Sequence, residues 1–111
     1  MSLEDITQAQ LDAYNAQDLD AYCGFFTPGV VVANIAGEIT STGIEAYRAR
    51  YKDAFAKFPG NKAELLNRIV LGQTVIDHER VDRGDGVTPS FDVAAIYTFE
   101  GGKIARVDFA K

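Results

Sequence analysis

Asp77, His78, Glu79 and Arg80 follow one another in the segment GQTVIDHERVD, Gly72 to Asp82, and His78 is the only histidine in the 111 residues. Carboxylates and imidazoles move protons, and a guanidinium holds anions. Burying any of these groups unpaired costs several kcal/mol, so four in a row inside a strand-like run require a catalytic role, partners or solvent. Side chains of a strand alternate, which sends Val75, Asp77, Glu79 and Val81 to one face and Ile76, His78, Arg80 and Asp82 to the other. Counting from a turn at Gly72, the first set faces the core. Asp77 and Glu79 then sit among apolar groups, where burial raises the pKa of at least one and makes it a candidate general acid or base. The competing expectation is purely structural, with both acids paired to Arg68 or Arg80. In this register His78 turns outward into a salt bridge; in the opposite one it becomes a general base in the pocket.

Other candidates are polar groups in apolar runs. Tyr97 shares the inward face of its strand with Val93, Ala95 and Phe99. Tyr14 and Tyr51 lie on apolar helical stripes, each with a hydroxyl able to reach a ligand. Gln10 and Asn34 are neutral donors suited to a carbonyl oxygen. Together Asp77, Glu79, His78, Gln10, Tyr14, Asn34, Tyr51 and Tyr97 form the candidate site.

The elements that position them follow from periodicity. Leu3 to Asn15 has helical spacing, with Glu4 and Asp5 at the favourable N-terminal end. Asp18 caps a short second helix carrying Leu19, Tyr22, Cys23 and Phe26 on one side, and Pro28-Gly29 ends it. Val30 to Ile35 reads as a strand and Ile39 as a brief extended piece, before a long amphipathic helix from Ile44 to Phe58 with Arg48, Arg50, Lys52 and Lys57 mostly outward. Two hairpins follow: Lys62 to Leu71 with Thr74 to Asp82, then Phe91 to Phe99 with Lys103 to Phe109, separated by the loop RGDGVTPS. Helices first and antiparallel strands after predict one α+β domain over residues 1–111, a curved antiparallel sheet wrapped around three helices. Pocket-facing residues of the last strands are expected to be Val93, Ala95, Tyr97, Phe99, Ala105, Val107 and Phe109. Ile76, Ala94, Ile96 and Ile104 are expected as an outward apolar stripe that pairs two copies.

Composition bounds the partners. The formal charge is −5, and the eleven Lys and Arg are scattered, which disfavours nucleic acid and anionic membranes. A lone cysteine, Cys23, forms no internal disulfide and reads as a buried thiol. The acidic start MSLEDITQAQ lacks the pattern of a signal peptide and no apolar run approaches a membrane span, so a cytoplasmic location is expected. No Cys/His spacing suits a metal and no glycine-rich loop suits a nucleotide, so no cofactor is expected.

NAQDLDAY after the first helix, the strand VVVANIAGE, STGIEAYRARY opening the third helix, and the paired strands LLNRIVLGQTVIDHE and YTFEGGKIARVDF resemble the nuclear transport factor 2-like superfamily, in its SnoaL-like and ketosteroid isomerase-like branches. The resemblance spans nearly the whole chain. It implies a cystatin-like α+β barrel, a cone-shaped sheet and helices around one deep apolar pocket, commonly in homodimers. It does not carry over the isomerase residues: the general-base aspartate falls on Asn34, the oxyanion tyrosine on Gln10 and the protonated aspartate near Ala95. Asn cannot take the proton and Ala cannot donate, so ketosteroid isomerisation at the usual positions is not expected. A limonene-epoxide hydrolase-like branch uses an Arg and an Asp spaced by two on a strand plus a later Asp; Arg80, Asp82 and Asp108 match superficially, and counting from Gly72 puts Glu79, Val81 and Phe109 there instead. The reaction class implied is acid-base isomerisation, cyclisation or hydrolysis of a small apolar carbonyl compound; the alternatives are a non-catalytic ligand binder and a dimerising interaction module.

Overall fold

The computed structural model describes residues 1–111. Ser2 starts the first helix, α1 (Leu3–Ala16), by accepting a hydrogen bond from the Asp5 backbone N–H at 3.1 Å, and Gln17 closes it in the left-handed region at φ 56°. Asp18 likewise caps α2 (Leu19–Cys23), accepting from the Ala21 N–H at 3.2 Å. The strands β1 (Phe26–Asn34) and β2 (Ile39–Thr42) precede α3 (Ile44–Lys57), and β3 (Lys62–Leu71), β4 (Thr74–Asp82), β5 (Phe91–Glu100) and β6 (Lys103–Ala110) complete the chain. Gly72 and Gly101-Gly102 take positive φ in the two tight turns, as the hairpins require.

One six-stranded sheet runs β2-β1-β6-β5-β4-β3. It is mixed: β1 runs parallel to β6, where an antiparallel sheet throughout was expected. The direction is set by connectivity. The long excursion through β2 and α3 carries the chain to the far edge, and the meander β3 to β6 returns its last strand beside β1. A second difference concerns Phe26 to Gly29, which extends β1 instead of ending α2; Gly24 closes that helix earlier. Pro28 is tolerated because it sits where the β1–β6 register shifts, between Phe26 and Val31, so no regular ladder bond is lost.

Register shifts also lie in β3 between Leu65 and Asn67 and across β5–β6 at Thr98/Phe99. Extra residues of this kind bend strands, and the sheet curves over the helices. The second shift has a local consequence. Phe99 pairs with Ile104 in place of the residue that strict alternation demands, so Ile104 is fully buried and Ala105 half-buried. The expected inward Ala105 and outward Ile104 are therefore exchanged.

Val30, Val32, Val75, Ile104 and Val107 form the floor of the core, closed by aromatic rings of α2 and α3. The buried hydroxyls of Tyr22 and Tyr47 satisfy one another at 2.6 Å. A smaller cluster of Leu11, Ala63, Val81 and Val93 seats α1 on the same concave face, over β3 to β5. Asn15 fixes that seating, its amide donating to the Ala63 carbonyl at 2.9 Å and its oxygen accepting from the Ala63 N–H at 2.8 Å. Gly84, at φ +68°, passes so close to Gly60 that a Cβ there would lie 2.3 Å from the Gly60 carbonyl oxygen. Only glycine permits that crossing, which brings the turn before β3 beside the loop after β4. No helix is long and apolar enough to cross a membrane.

Candidate active site

Between the helices and the concave sheet lies a cavity of about 150 Å³. Its walls are apolar and aromatic, with Leu11, Tyr14, Tyr51, Val93, Tyr97 and Phe109 prominent, and Gln10 from α1 and Glu79 from β4 are the neutral and acidic polar groups among them. Alternation counted from Gly72 describes β4 correctly. Val75 and Asp77 are fully buried, Glu79 is 7% and Val81 5% exposed, and His78 and Arg80 stand on the outer face.

The two inward acids differ. Asp77 is held by a bidentate ion pair in which Arg68 Nε donates to Oδ1 at 2.7 Å and Nη2 to Oδ2 at 2.9 Å. Arg68 donates also to Gln8 Oε1 at 3.1 Å, tying the pair to α1. Asp77 does not line the cavity. Glu79 has no such partner, and its buried Oε2 accepts no hydrogen bond. Burial pushes its carboxyl up to about 7, the Asp77 charge adds to the rise, and Arg68 opposes it. An acid with that affinity for protons is a donor and an acceptor of them at neutral pH.

Gln10, from α1, lines the same cavity and is 2% exposed, with Oε1 likewise buried and without a partner. Native interiors rarely leave such groups unsatisfied, and here two line one cavity. Burial raises the hydroxyl pKa of Tyr97 well above its ordinary value, and that of Tyr14 to about 12, so both are neutral phenols. The Tyr14 hydroxyl accepts from Asn61 Nδ2 at 2.7 Å, and Asn61 Oδ1 accepts from Arg83 Nη1 at 3.0 Å. Tyr51 packs against Tyr14 at 6.1 Å between centroids and borders the mouth.

Two expected members are elsewhere. His78 Nε2 bonds Asp92 at 2.9 Å, and Arg80 shares that carboxylate at 3.0 Å, so the partner of His78 comes from β5 because its sequence neighbours point through the sheet. Asn34 is exposed at the end of β1, where its carbonyl accepts from the Gly37 N–H at 2.9 Å in a tight turn, and it does not line the cavity. The isomerase positions therefore hold an exposed Asn34, a buried Gln10 and a fully buried Ala95. Arg80, Asp82 and Asp108 also stay outside the cavity, Arg80 on Asp92 and Asp108 on Arg106, so the epoxide-hydrolase arrangement is not assembled. Arg50, Arg83 and Phe91 line the cavity and Asn61 bonds two of its lining residues, and none is a candidate from the sequence: helical spacing turns Arg50 outward, Phe91 opens a strand as one more apolar residue, and Asn61 and Arg83 lie next to Gly60 and Gly84 in turns, where the crossing brings them together. No three His, Cys, Asp or Glu side chains converge as metal ligands would.

A curved sheet closed by three helices over a small cavity, with apolar walls and one unpaired acid, defines a small-molecule pocket protein. The chain belongs to the SnoaL-like domain family, whose model matches residues 7–107. A protein of cystatin fold from Novosphingobium aromaticivorans is 39% identical over 100% of this chain and 99% of its own, with a TM-score of 0.93. A candidate polyketide cyclase from Sinorhizobium meliloti is 25% identical over 96% of this chain and 94% of its own, with a TM-score of 0.82. A candidate ketosteroid isomerase from Kribbella flavida, 13% identical over 96% of this chain and 75% of its own, shares the fold at a TM-score of 0.80. No match is found among curated proteins.

Proposed function

We propose that this chain is a cofactor-independent acid-base enzyme acting on a small, largely apolar carbonyl compound, with Glu79 as the group that takes and returns the proton. The observation that carries this reading is the buried, unpartnered Oε2 of Glu79 on the cavity wall, on a carboxyl whose pKa is about 7. Ionised Glu79 removes a proton from carbon next to the carbonyl, leaving an enolate; the protonated acid then gives that proton back at another carbon, or, in a cyclisation, the enolate carbon adds to a second carbonyl of the same substrate, whose C=O π bond opens and whose oxygen takes the proton from Glu79. Tyr97 and Gln10 supply O–H and N–H donors for the enolate oxygen. The similarity to a candidate polyketide cyclase agrees with this chemistry. Asp77 supports the site through its ion pair with Arg68.

The test needs no knowledge of the natural substrate. In D2O, the acidic C–H protons of benzoylacetone should exchange faster with the protein than without, along a pH profile rising with a midpoint near 7, and Glu79→Gln should lower the catalysed rate by about 100-fold. Undiminished exchange by the folded variant would leave a ligand-binding pocket without chemistry as the reading.

We infer also that the protein pairs as a homodimer through the outer face of the sheet. Ile69, Ile76 and Ile96 lie in one row across β3, β4 and β5, and Ile69 is 45% and nearby Leu71 66% exposed. Such a row on the convex side is apolar surface that a second copy would cover. Light scattering at micromolar concentration should give twice the 12.1 kDa chain mass, and Ile96→Lys should return it to the monomer value. A wild-type monomer under those conditions refutes the interface.

A further inference from the structure

The arginines of this acidic chain divide into two groups. Arg48, Arg68, Arg80 and Arg106 each hold a carboxylate, on Asp20, Asp77, Asp92 and Asp108. Arg50 and Arg83 hold none, and these are the two that line the cavity, with Lys111 as a third cation beside them. With sixteen Asp and Glu available against eleven Lys and Arg, two unpaired guanidiniums at one opening are not a product of composition.

Both are held in place by contacts that leave charge free. Arg83 lies over the rings of Phe58 at 4.8 Å and Phe91 at 5.1 Å, and spends one N–H on Asn61. Arg50 lies over Tyr51 at 5.8 Å and Phe109 at 5.9 Å. Stacking on aromatic faces fixes the plane of a guanidinium while its remaining N–H groups stay open for a planar anion, which a carboxylate matches in two-point fashion. The one acid lining the cavity, Glu79, is buried away from solvent and paired to neither arginine. Size adds a second limit, because about 150 Å³ is the volume that holds benzene in an engineered apolar cavity.

We propose that the ligand is a small carboxylic acid with a single ring or an equivalent unsaturated chain, its carboxylate docked between Arg50 and Arg83 and its apolar body inserted against Tyr51, Val93 and Phe109. The proposal deepens the enzymatic reading above and rests on its cavity being a ligand site. It assigns Arg50 and Arg83 as specificity residues: they select the anion and orient the inserted end toward Glu79.

Titrations followed by ¹H–¹⁵N spectra, with benzoate and cinnamate set against benzamide and cinnamamide, separate the two claims. Each acid should bind at least tenfold more tightly than its amide at low salt, with the advantage shrinking at 0.5 M NaCl. Arg83→Gln should abolish the preference while leaving amide affinity in place, Arg83→Lys should retain part of it, and Arg50→Gln should weaken acids alone without depending on the Asn61 contact. Equal binding of acid and amide, with shifts at Val93 and Tyr97 for both, overturns the anion selectivity and leaves the cavity as a ligand site. Absence of shifts at those residues with all four probes overturns the cavity reading and this proposal with it.

Discussion

Glu79→Gln should make the protein more stable at pH 8 while leaving it nearly unchanged at pH 4. The folded state holds the Glu79 proton until about pH 7, against an ordinary value of 4.5, so the native chain binds more protons than the unfolded one between those limits. For a carboxyl raised in this way the full stability is present below the unfolded pKa and is lost as pH climbs through the folded one. At 1.36 kcal/mol for each pH unit, the wild type should lose about 3 kcal/mol from this group alone between pH 4.5 and 7.5. An uncharged amide of the same shape carries no such penalty. Urea denaturation of both proteins at pH 5, 6, 7 and 8 measures it, and parallel stability curves would show that Glu79 ionises as freely folded as unfolded. A residue that destabilises the fold at working pH is retained for something other than folding, and the enzymatic reading supplies the reason.

That Glu79 faces the cavity was legible from the sequence because alternation along β4 is uninterrupted from Thr74 to Asp82 and β5 pairs with it without a shift, the extra residue between Leu65 and Asn67 falling on β3 instead. The extents of α1 and α3 were equally plain, since their apolar stripes are local, whereas α2 ends at Gly24 and yields Phe26 to Gly29 to β1. What escaped was set by single extra residues and by chain crossings. The shift at Thr98/Phe99 turns Ile104 inward, yet a bulge of one residue leaves no mark in composition. Asn34 falls out of the site because β1 ends in a turn with Ala36 at φ 52°, a conformation that residue type does not announce. Arg50 looks outward by helical spacing, and so it is, but its long side chain reaches over Tyr51 and Phe109 to the mouth. Arg83 sits in a loop where periodicity is silent, and its place depends on the contact of Gly84 with Gly60. Elements were thus readable from pattern, and the rim of the cavity only from tertiary packing.

Arg68→Met should destabilise the protein by about 3–5 kcal/mol at pH 8, the largest effect expected of any single charge removal here, because it strands a buried carboxylate. The side chain of Asp77 is fully buried and that of Arg68 9% exposed, so neither ion has water to fall back on. The geometry is bidentate, and the same guanidinium reaches Gln8 on α1, so the loss also loosens the helix that carries Gln10 to the cavity. Replacing both partners, Arg68→Met with Asp77→Leu, should recover most of the loss, since an apolar pair of similar volume removes the desolvation penalty together with the attraction. A single variant costing less than about 1 kcal/mol would mean that solvent reaches Asp77 when Arg68 is absent. The pair acts on the chemistry as well. Arg68 is the positive charge that opposes the rise in the Glu79 pKa, and Asp77 the negative one that adds to it. In Arg68→Met the Glu79 midpoint should therefore move upward from about 7, and in the double variant it should return toward the wild-type value because both charges are gone. Carboxyl ¹³C titration of Glu79 in the three proteins reads those shifts directly. A midpoint indifferent to both substitutions would detach the ion pair from the acid and leave it a clasp for α1 alone.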